Sequence, residues 1–400
     1  MNIRKTCLAL LAGGMALAAT AAVPTVENVT IRQDARTHVV WVNYDLLEAD
    51  GIVTVEFLTN GVSVGGANVS HVYGDANRRV AVGTGKQVSW KIYKSFDGHS
   101  DTPALSARVT AYATNMPPDY CVIDLATGER RFYPSEVELP GGIGSGVYRT
   151  TKLVLRRIDA AGVSAQFGKL DPNEGTLPAD NNTDQHDDET PRAVTFTRDW
   201  YLGVFEFTQG QCKALGVDVP DNQNGQFDDA LPVGGFTCDR LRGAWDNYPW
   251  ADGTVSSGSL FGKLRQRIGG DLTSTGYDLP SEDVWEFACR AGTTTSYSDG
   301  GTYPSETVET LQQVAWFGSK SSWKTQPVGG LAANAWGLYD MHGNIGEFCV
   351  RSSADEGVVL RGGNVQFDRA WLRSSARYKT TVTVNGWRYG FRVCCSADAL

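Results

Sequence analysis

Short apolar runs with a period of two occupy the first part of the chain and restrict it to a β-rich fold. Val53, Val55 and Phe57 alternate with polar neighbours, as in a strand that buries one face. Asn60-Gly61 follows and supplies the positive φ angles of a two-residue hairpin turn. Comparable runs predict strands at Val26–Ile31, His38–Tyr44, Ile52–Leu58, Arg79–Val82, Gln87–Ile92 and Ala107–Ala113. We therefore predict a small antiparallel β-sandwich of the immunoglobulin or fibronectin type over residues 23–114.

A proline pair separates this region from the rest of the chain. Asn115-Met116-Pro117-Pro118 has the composition of a linker. Beyond it, Cys121–Asp124 and Lys152–Ile158 are predicted strands. We assign residues 115–152 to the linker and the strands that lead into a second domain, which we place at residues 153–396.

The N-terminal residues 1–22 have the pattern of a secretory signal peptide. Arg4 and Lys5 precede an apolar run, and Ala19-Thr20-Ala21 fits a small-residue cleavage site. No later stretch approaches the ~18 uninterrupted apolar residues that a membrane-spanning helix needs. We expect an exported protein, whether periplasmic, cell-surface or secreted, that does not insert into a membrane.

The net charge limits the partners that the chain can bind. Its formal charge is −9, and a surplus of carboxylates disfavours non-specific binding to nucleic acid or anionic lipid. We expect no nucleic-acid partner, and any site for a polyanion has to be local.

Seven cysteines follow the signal segment, and their number is odd. Export favours disulfide bonds over reduced thiols, and an odd number leaves at least one cysteine free or paired with another chain. A role for a thiol therefore stays open. The cysteines are Cys121, Cys212, Cys238, Cys289, Cys349, Cys394 and Cys395.

Helices are predicted to be few and short. Capping residues and closing glycines indicate helices near residues 208–216 and 260–268. The best-defined helix spans Ser281–Ala291, where Trp285, Ala288 and Cys289 share one face. We expect that face to be part of a core.

The second region carries five recognisable sequence segments in order. They are WYLGVFEFT at residues 200–208, LPSEDVWEF at 279–287, NAWGLYDMHGN at 334–344, LRGG at 360–363 with LRSSAR at 372–377, and GFR at 390–392. Together they resemble the formylglycine-generating, or sulfatase-modifying factor, family. The resemblance implies a C-type-lectin-like domain with many loops. The expected fold class is therefore α+β, with the N-terminal β-sandwich followed by this larger domain.

The segment from Leu360 to Arg377 contains no cysteine. The resemblance implies an oxidase in which two cysteines at this segment bind copper(I), activate oxygen and convert a sulfatase cysteine into formylglycine. Thiolates select copper(I), whereas Phe367 and Trp371, which stand near the thiol positions, cannot bind it. We therefore expect neither copper nor oxidase chemistry at this segment.

Cysteines elsewhere leave one route to that chemistry open. Cys394 and Cys395 are adjacent and follow the GFR motif. The resemblance implies that the last strand is tied to the helix carrying Cys289, so we predict a structural disulfide between Cys289 and Cys394, with Cys395 as the alternative partner. A copper-dependent oxidase that generates formylglycine with relocated cysteines is the rival function.

The turn at residues 344–347 is the candidate metal site. The resemblance implies a calcium ion held there by Asn344, Ile345 and Glu347 through side-chain and main-chain oxygens, which are the hard ligands that calcium prefers. The alternative is a turn closed by hydrogen bonds alone.

The C-terminal region is locally basic and has two interpretations. The planar guanidinium group of arginine donates paired hydrogen bonds to sulfate or carboxylate, so one interpretation is an anion or sulfated-glycan site. The resemblance implies instead that Arg361, Arg377 and Arg392 tie loops together. The basic residues are Arg361, Arg369, Arg373, Arg377, Lys379, Arg388 and Arg392.

These observations favour an exported, non-catalytic binding protein whose partner is an extracellular protein or glycan. We predict that the cleft is lined by Asn364, Gln366, Phe367, Asp368, Trp371 and Arg373. Two alternatives remain besides the oxidase: the aromatic side chains merely fill the space of the thiols, or the chain is a surface component that binds through its sandwich.

Overall fold

The computed structural model describes most of the chain. The predicted signal peptide up to residue 21 lies outside the described residues, as does most of an acidic insertion at residues 171–189. The described residues are 22–96, 104–175, 189–243, 253–270, 272, 276–350 and 358–399.

The first region forms eight strands, and each strand predicted there corresponds to an observed one. Two short strands, at Val62–Ser63 and Val72–Gly74, were not predicted. The strands are β1 (Thr25–Asp34), β2 (Val39–Leu47), β3 (Gly51–Thr59), β4 (Val62–Ser63), β5 (Val72–Gly74), β6 (Arg78–Val80), β7 (Gly83–Trp90) and β8 (Leu105–Tyr112).

The eight strands form two antiparallel sheets, which confirms the predicted sandwich. One sheet has the order β1-β2-β7-β5. In the other, β3 pairs along its length with β8 and at its two ends with β4 and β6. Val42 of β2, Phe57 of β3 and Trp90 of β7 meet in the shared core, because alternate strand residues face inward.

The second region is an α+β domain of thirteen further strands and five short helices among the described residues. The strands are β9 (Tyr120–Asp124), β10 (Arg130–Tyr133), β11 (Lys152–Ile158), β12 (Ser164–Phe167), β13 (Arg192–Thr195), β14 (Trp200–Gly203), β15 (Ala315–Trp316), β16 (His342–Gly343), β17 (Gly346–Val350), β18 (Val358–Arg361), β19 (Tyr378–Thr380), β20 (Tyr389–Gly390) and β21 (Cys394–Ser396). The helices are α1 (Gln209–Leu215), α2 (Cys238–Arg242), α3 (Leu260–Arg267), α4 (Glu282–Arg290) and α5 (Val308–Leu311). Several single 3₁₀ turns connect them.

A five-stranded antiparallel sheet with the order β10-β9-β11-β14-β21 organises this domain. It is buried on both faces. Cys121 and Ile123 of β9 pack into one core, whereas Tyr120 and Val122 pack into another on the opposite face. The last strand of the chain closes one edge, so the C-terminal residues are part of the central sheet.

A second sheet, with the order β19-β18-β17-β20, carries the candidate site. Helix α4 packs against it and begins as predicted, with the Ser281 side chain accepting from Val284 N. Trp285, Ala288 and Cys289 of α4 are buried in the core that they share with Cys349 and Cys394. The other two predicted helices are also present, as α1 with its capping box and as α3.

The two regions are in direct contact along the edge strand β10. Phe132 N donates to Asn77 O at 2.9 Å, and an Arg131 guanidinium nitrogen donates to Ala76 O at 2.9 Å. Gly66 lies so close to the second domain that an added Cβ would stand 2.2 Å from Glu138 O. A side chain at this position would therefore push the two regions apart.

None of the helices in the described ranges is long and apolar enough to cross a membrane.

Candidate functional site

The cysteine-free segment turns sharply after β18. Gly362 and Gly363 both have positive φ angles, of 81° and 70°. A Cβ on Gly363 would lie 2.6 Å from Leu372 Cδ2, so glycine is required for the close packing of this turn on the helix that follows it. That helix is a single 3₁₀ turn, Arg369–Leu372, and the Asp368 carboxylate caps it by accepting from Ala370 N at 2.8 Å.

Three aromatic rings fill the space beside this turn. The Phe367 ring centroid lies 5.4 Å from that of Trp371 and 5.6 Å from that of Tyr378, and the Trp371 and Tyr378 centroids are 5.6 Å apart. They leave a cavity of about 10 Å³, bordered also by Asn364 and Tyr389. A space of this size accommodates at most one water molecule, so no ligand group enters here.

The six predicted cleft residues do not share one surface. Asn364 is fully buried, and its Oδ1 accepts from Gln366 N at 2.9 Å. Trp371 is also buried, whereas Gln366, Phe367 and Asp368 reach the surface.

Arg373 lies in the interior, where it forms ion pairs. Its guanidinium is 2.6 Å from a Glu174 oxygen and 2.8 Å from a Glu189 oxygen. Ser375 Oγ donates to the same Glu174 oxygen at 2.5 Å. Arg373 therefore holds together the two ends of the acidic insertion, and it does not line the aromatic cavity or the surface beside it.

An open groove of about 400 Å³ adjoins Gln366, Phe367 and Asp368. Its opposite wall is formed by Val308 on α5, by Gln312 directly after that helix, and by the loop that carries Phe317 and Trp323. The loop is fixed to the cysteine-free segment, because Gly318 N donates to Val365 O at 3.0 Å.

Trp323 is the most exposed large apolar side chain of the groove, at 54%. Its φ is 58° and that of Ser322 is 52°, so two consecutive residues that are not glycine adopt the left-handed conformation. Such residues are uncommon in this region of φ/ψ space, and they cluster at functional sites. The sequence gives no signal for this tryptophan, because neither glycine nor asparagine marks the turn.

The side chains of two predicted metal ligands, Asn344 and Glu347, are engaged with protein groups. Asn344 Nδ2 donates to Glu206 Oε2 at 2.6 Å, and its Oδ1 accepts from Gln326 N at 2.9 Å. The Glu347 carboxylate accepts from Trp285 Nε1 at 2.7 Å and from Arg392 at 2.6 and 2.7 Å. Ile345 N donates to Glu206 Oε1 at 3.2 Å. These bonds describe a turn closed by hydrogen bonds, and the described residues contain no group of three or more histidine, cysteine or acidic side chains arranged to hold a metal.

The same cluster concentrates negative charge in the interior. Burial and the nearby Asp340 and Glu347 raise the pKa of Glu206 well above its usual range. Burial raises the pKa of Asp340 to about 6, although Gly329 N donates to it at 2.6 Å. Arg392 is the cation of this cluster. Sequence reasoning identified Glu206 only as part of a motif and did not place it beside Asn344.

The arginines of the C-terminal motifs tie buried segments together. Arg361 donates to Glu286 at 2.5 Å, and Arg377 forms a two-bond pair with Glu282 at 2.8 Å. Arg361 and Arg392 are nearly inaccessible to solvent. Of the two interpretations of this basic region, the structure supports the loop ties for these residues.

The cysteines do not form the predicted disulfide. All seven described cysteines are free and buried. Cys289 and Cys394 share one apolar core, but Cys289 Sγ lies 3.5 Å from Ser374 Oγ and 3.8 Å from Met341 O, and it is not bonded to Cys394. Cys395 packs into the core on the other side of the sheet. Burial raises the pKa of Cys121 to about 12 and that of Cys394 further, so these thiols are neutral near pH 7.

His342 is committed to hydrogen bonds. Its Nδ1 lies 2.7 Å from Leu372 O, which can only accept, so this nitrogen carries the proton. Its Nε2 accepts from Ser298 N at 3.1 Å. Both ring nitrogens are occupied, and His342 therefore has no free position for a metal.

The sheets, the glycine turn and the arginine ties define an α+β domain that presents one irregular segment on a rigid scaffold. The chain belongs to the family of the sulfatase-modifying factor enzyme 1-like domain, whose family model matches residues 173–397. No curated protein matched the chain.

Among solved structures, the chain is similar to Treponema denticola variable protein 1, with 21% identity and a TM-score of 0.45 over 61% of this chain and 95% of that one. It is also similar to PvdO from Pseudomonas aeruginosa, with 21% identity and a TM-score of 0.43 over 61% and 94%. A third similar structure is CarF, with 18% identity and a TM-score of 0.36 over 59% and 99%.

Proposed function

We propose that this chain is an exported, non-catalytic binding protein of the sulfatase-modifying factor family, and that its groove beside the cysteine-free segment binds a partner protein. Export rests on the signal pattern of residues 1–22. The observation that carries the proposal is the half-exposed Trp323 ring, which follows a left-handed backbone and lines the groove.

The absence of catalysis is supported by the chemistry of the segment and of the thiols. No cysteine lies between Leu360 and Arg377, and aromatic rings occupy the space there. The adjacent pair Cys394 and Cys395 is divided between two cores, since neighbouring strand residues point to opposite faces. Two sulfurs arranged in this way do not converge on one copper ion.

A protein partner fits the groove better than a glycan does. Val308, Trp323 and Phe367 give the groove exposed or partly exposed apolar groups, and Gln312, Gln366 and Asp368 add polar ones. Aromatic and other apolar side chains mixed with polar groups are the usual composition of a protein interface. Exposed tryptophan is also the side chain most enriched among residues that dominate binding energy.

The test is a selection of peptides against the purified protein, followed by measurement of their affinity. A random peptide library is enriched on the wild-type protein, and binding of the selected peptides is measured by fluorescence polarisation. We expect peptides with a large apolar side chain. Trp323→Ala should weaken their binding by at least about tenfold, because loss of a central anchor costs about 2 kcal/mol or more.

A matched control distinguishes binding in the groove from non-specific hydrophobic binding. Phe227 is 60% exposed in the same domain and does not line the groove, so Phe227→Ala should leave peptide binding unchanged. Equal binding by wild type and Trp323→Ala would refute the groove as the site. If the protein binds a glycan array and no peptides, and Trp323→Ala loses that binding, the groove is a carbohydrate site.

The oxidase alternative has its own readout. The protein is incubated with copper and a cysteine-containing sulfatase-type peptide, and the peptide mass is followed together with oxygen consumption. We expect no change in mass. Conversion of cysteine to formylglycine would lower the peptide mass by about 18 Da, and that outcome would establish catalysis by relocated thiols.

A further inference from the structure

A second cleft, of about 260 Å³, lies between the sandwich and the α+β domain. Its walls come from both regions: Arg78 and Arg79 on β6 of the sandwich, and Arg130 and Phe132 on the edge strand β10. Ile268, directly after α3, completes the apolar part of the lining. The cleft is remote in sequence from the proposed groove, which is lined by residues between Val308 and Arg369.

Positive charge dominates this cleft in an otherwise acidic protein. Three guanidinium groups line it against a single carboxylate, that of Glu129. Glu129 is already paired with Arg131, which borders a different cavity together with Tyr133. Residues 130 and 132 thus face the cleft while 131 and 133 face the other cavity, as expected for alternation along a strand. The concentration of arginine is local, since the whole chain has a formal charge of −9.

The fold holds two of these like charges close together. Burial and the neighbouring Arg130 lower the pKa of Arg79, so the two guanidinium groups repel each other across the junction of the two regions. Arg130 also lies near the phenol of Tyr277, which is buried in the core beneath the sheet.

We propose that this cleft binds an oxyanion, that is, a sulfate, phosphate or carboxylate group of a small ligand. Planar guanidinium forks match the oxygen spacing of such groups and form charge-assisted hydrogen bonds with them. Ile268, which is half-buried, provides an apolar contact for the body of the ligand. An extended polyanion fits poorly, because the net charge of the chain repels it away from the cleft.

The experiment is isothermal titration of the full chain with sodium sulfate, sodium phosphate and sodium acetate, with ionic strength held constant by chloride. We expect saturable binding of at least one anion. Arg79→Ala and Arg130→Ala should each weaken it by about tenfold, the usual effect of losing a hydrogen bond to a charged group. Preference for sulfate and phosphate over acetate identifies a tetrahedral group, and equal binding of acetate identifies a carboxylate.

Two further variants keep the test decisive if Arg130→Ala fails to fold. Glu129→Gln removes the carboxylate of the cleft and should tighten anion binding about threefold. Arg130→Lys keeps the positive charge but lacks the planar guanidinium group, so it should weaken anion binding. Arg36→Ala, which removes the same charge on the β1–β2 turn outside the cleft, should have no effect. Absence of saturable binding overturns the proposal, as does an equal loss in Arg36→Ala.

Discussion

Substitution of Asp340 measures how far a charge in the buried acidic cluster lowers the free energy of unfolding. Its side chain is 4% exposed and lies among the other buried carboxylates, with Arg392 as their cation. Asp340→Asn removes the charge and keeps an oxygen that can accept from Gly329 N. The backbone tolerates the change, because asparagine adopts the left-handed conformation that Asp340 has, with φ of 57°, at least as readily as aspartate.

The magnitude follows from the pKa of this carboxyl, which burial raises from 3.8 to about 6. Below pH 4 the group is protonated in both the folded and the unfolded chain and contributes nothing. Between pH 4 and 6 only the folded chain retains the proton, so the free energy of unfolding falls as pH rises. Above pH 6 the full cost applies, and a shift of about two pKa units corresponds to about 3 kcal/mol.

The assay is urea unfolding of wild type and Asp340→Asn at intervals from pH 4 to pH 8. The difference between the two free energies of unfolding should grow by about 3 kcal/mol in favour of Asp340→Asn as pH rises. Any cost of burying the amide is independent of pH, so it shifts this difference curve without changing its slope. A flat curve for Asp340→Asn would refute the assignment of a raised pKa to Asp340.

Two further substitutions test the scaffold of the site. Arg373→Met should lower the free energy of unfolding by about 3–5 kcal/mol, because it leaves the carboxylates of Glu174 and Glu189 without their cation in the interior. Urea unfolding measures this change. An unchanged free energy of unfolding would contradict the ion pairs. Gly363→Ala should cost about 1–3 kcal/mol, measured by thermal unfolding, since it combines a positive φ with a Cβ 2.6 Å from Leu372 Cδ2. Gly162→Ala is its matched control, because Gly162 also has a positive φ, of 76°, but a Cβ there meets nothing within 4 Å. Equal losses in the two variants would show that the close packing at Gly363 is unimportant.

Local patterns accounted for most of the predicted secondary structure. The strand around Val55 and the caps at Thr208 and Ser281 depend on residues within one or two turns of each other, so short windows of sequence contain the whole signal. The resemblance to a family supplied the architecture of the second domain, which periodicity alone did not reveal.

The site was predicted less well, because its geometry depends on contacts between distant residues. Arg373 was expected in the cleft, but its partner Glu174 is 199 residues away in sequence, and no spacing rule connects them. Trp323 was missed because its exposure results from a backbone conformation that its neighbours in sequence do not indicate. The aromatic cluster was anticipated only in part, since Tyr378 joins Phe367 and Trp371 from the following strand.

The positions of the ion-pair partners along the chain determine when the buried ion pairs can form during synthesis. The positive partners lie near the end of the chain, while the carboxylates that they neutralise are made earlier and belong to segments that are buried in the finished domain. The carboxylates are therefore synthesised before their arginine partners, and each of these four buried ion pairs forms only after its arginine in the C-terminal motifs has been made. The arginines in question are Arg361, Arg373, Arg377 and Arg392.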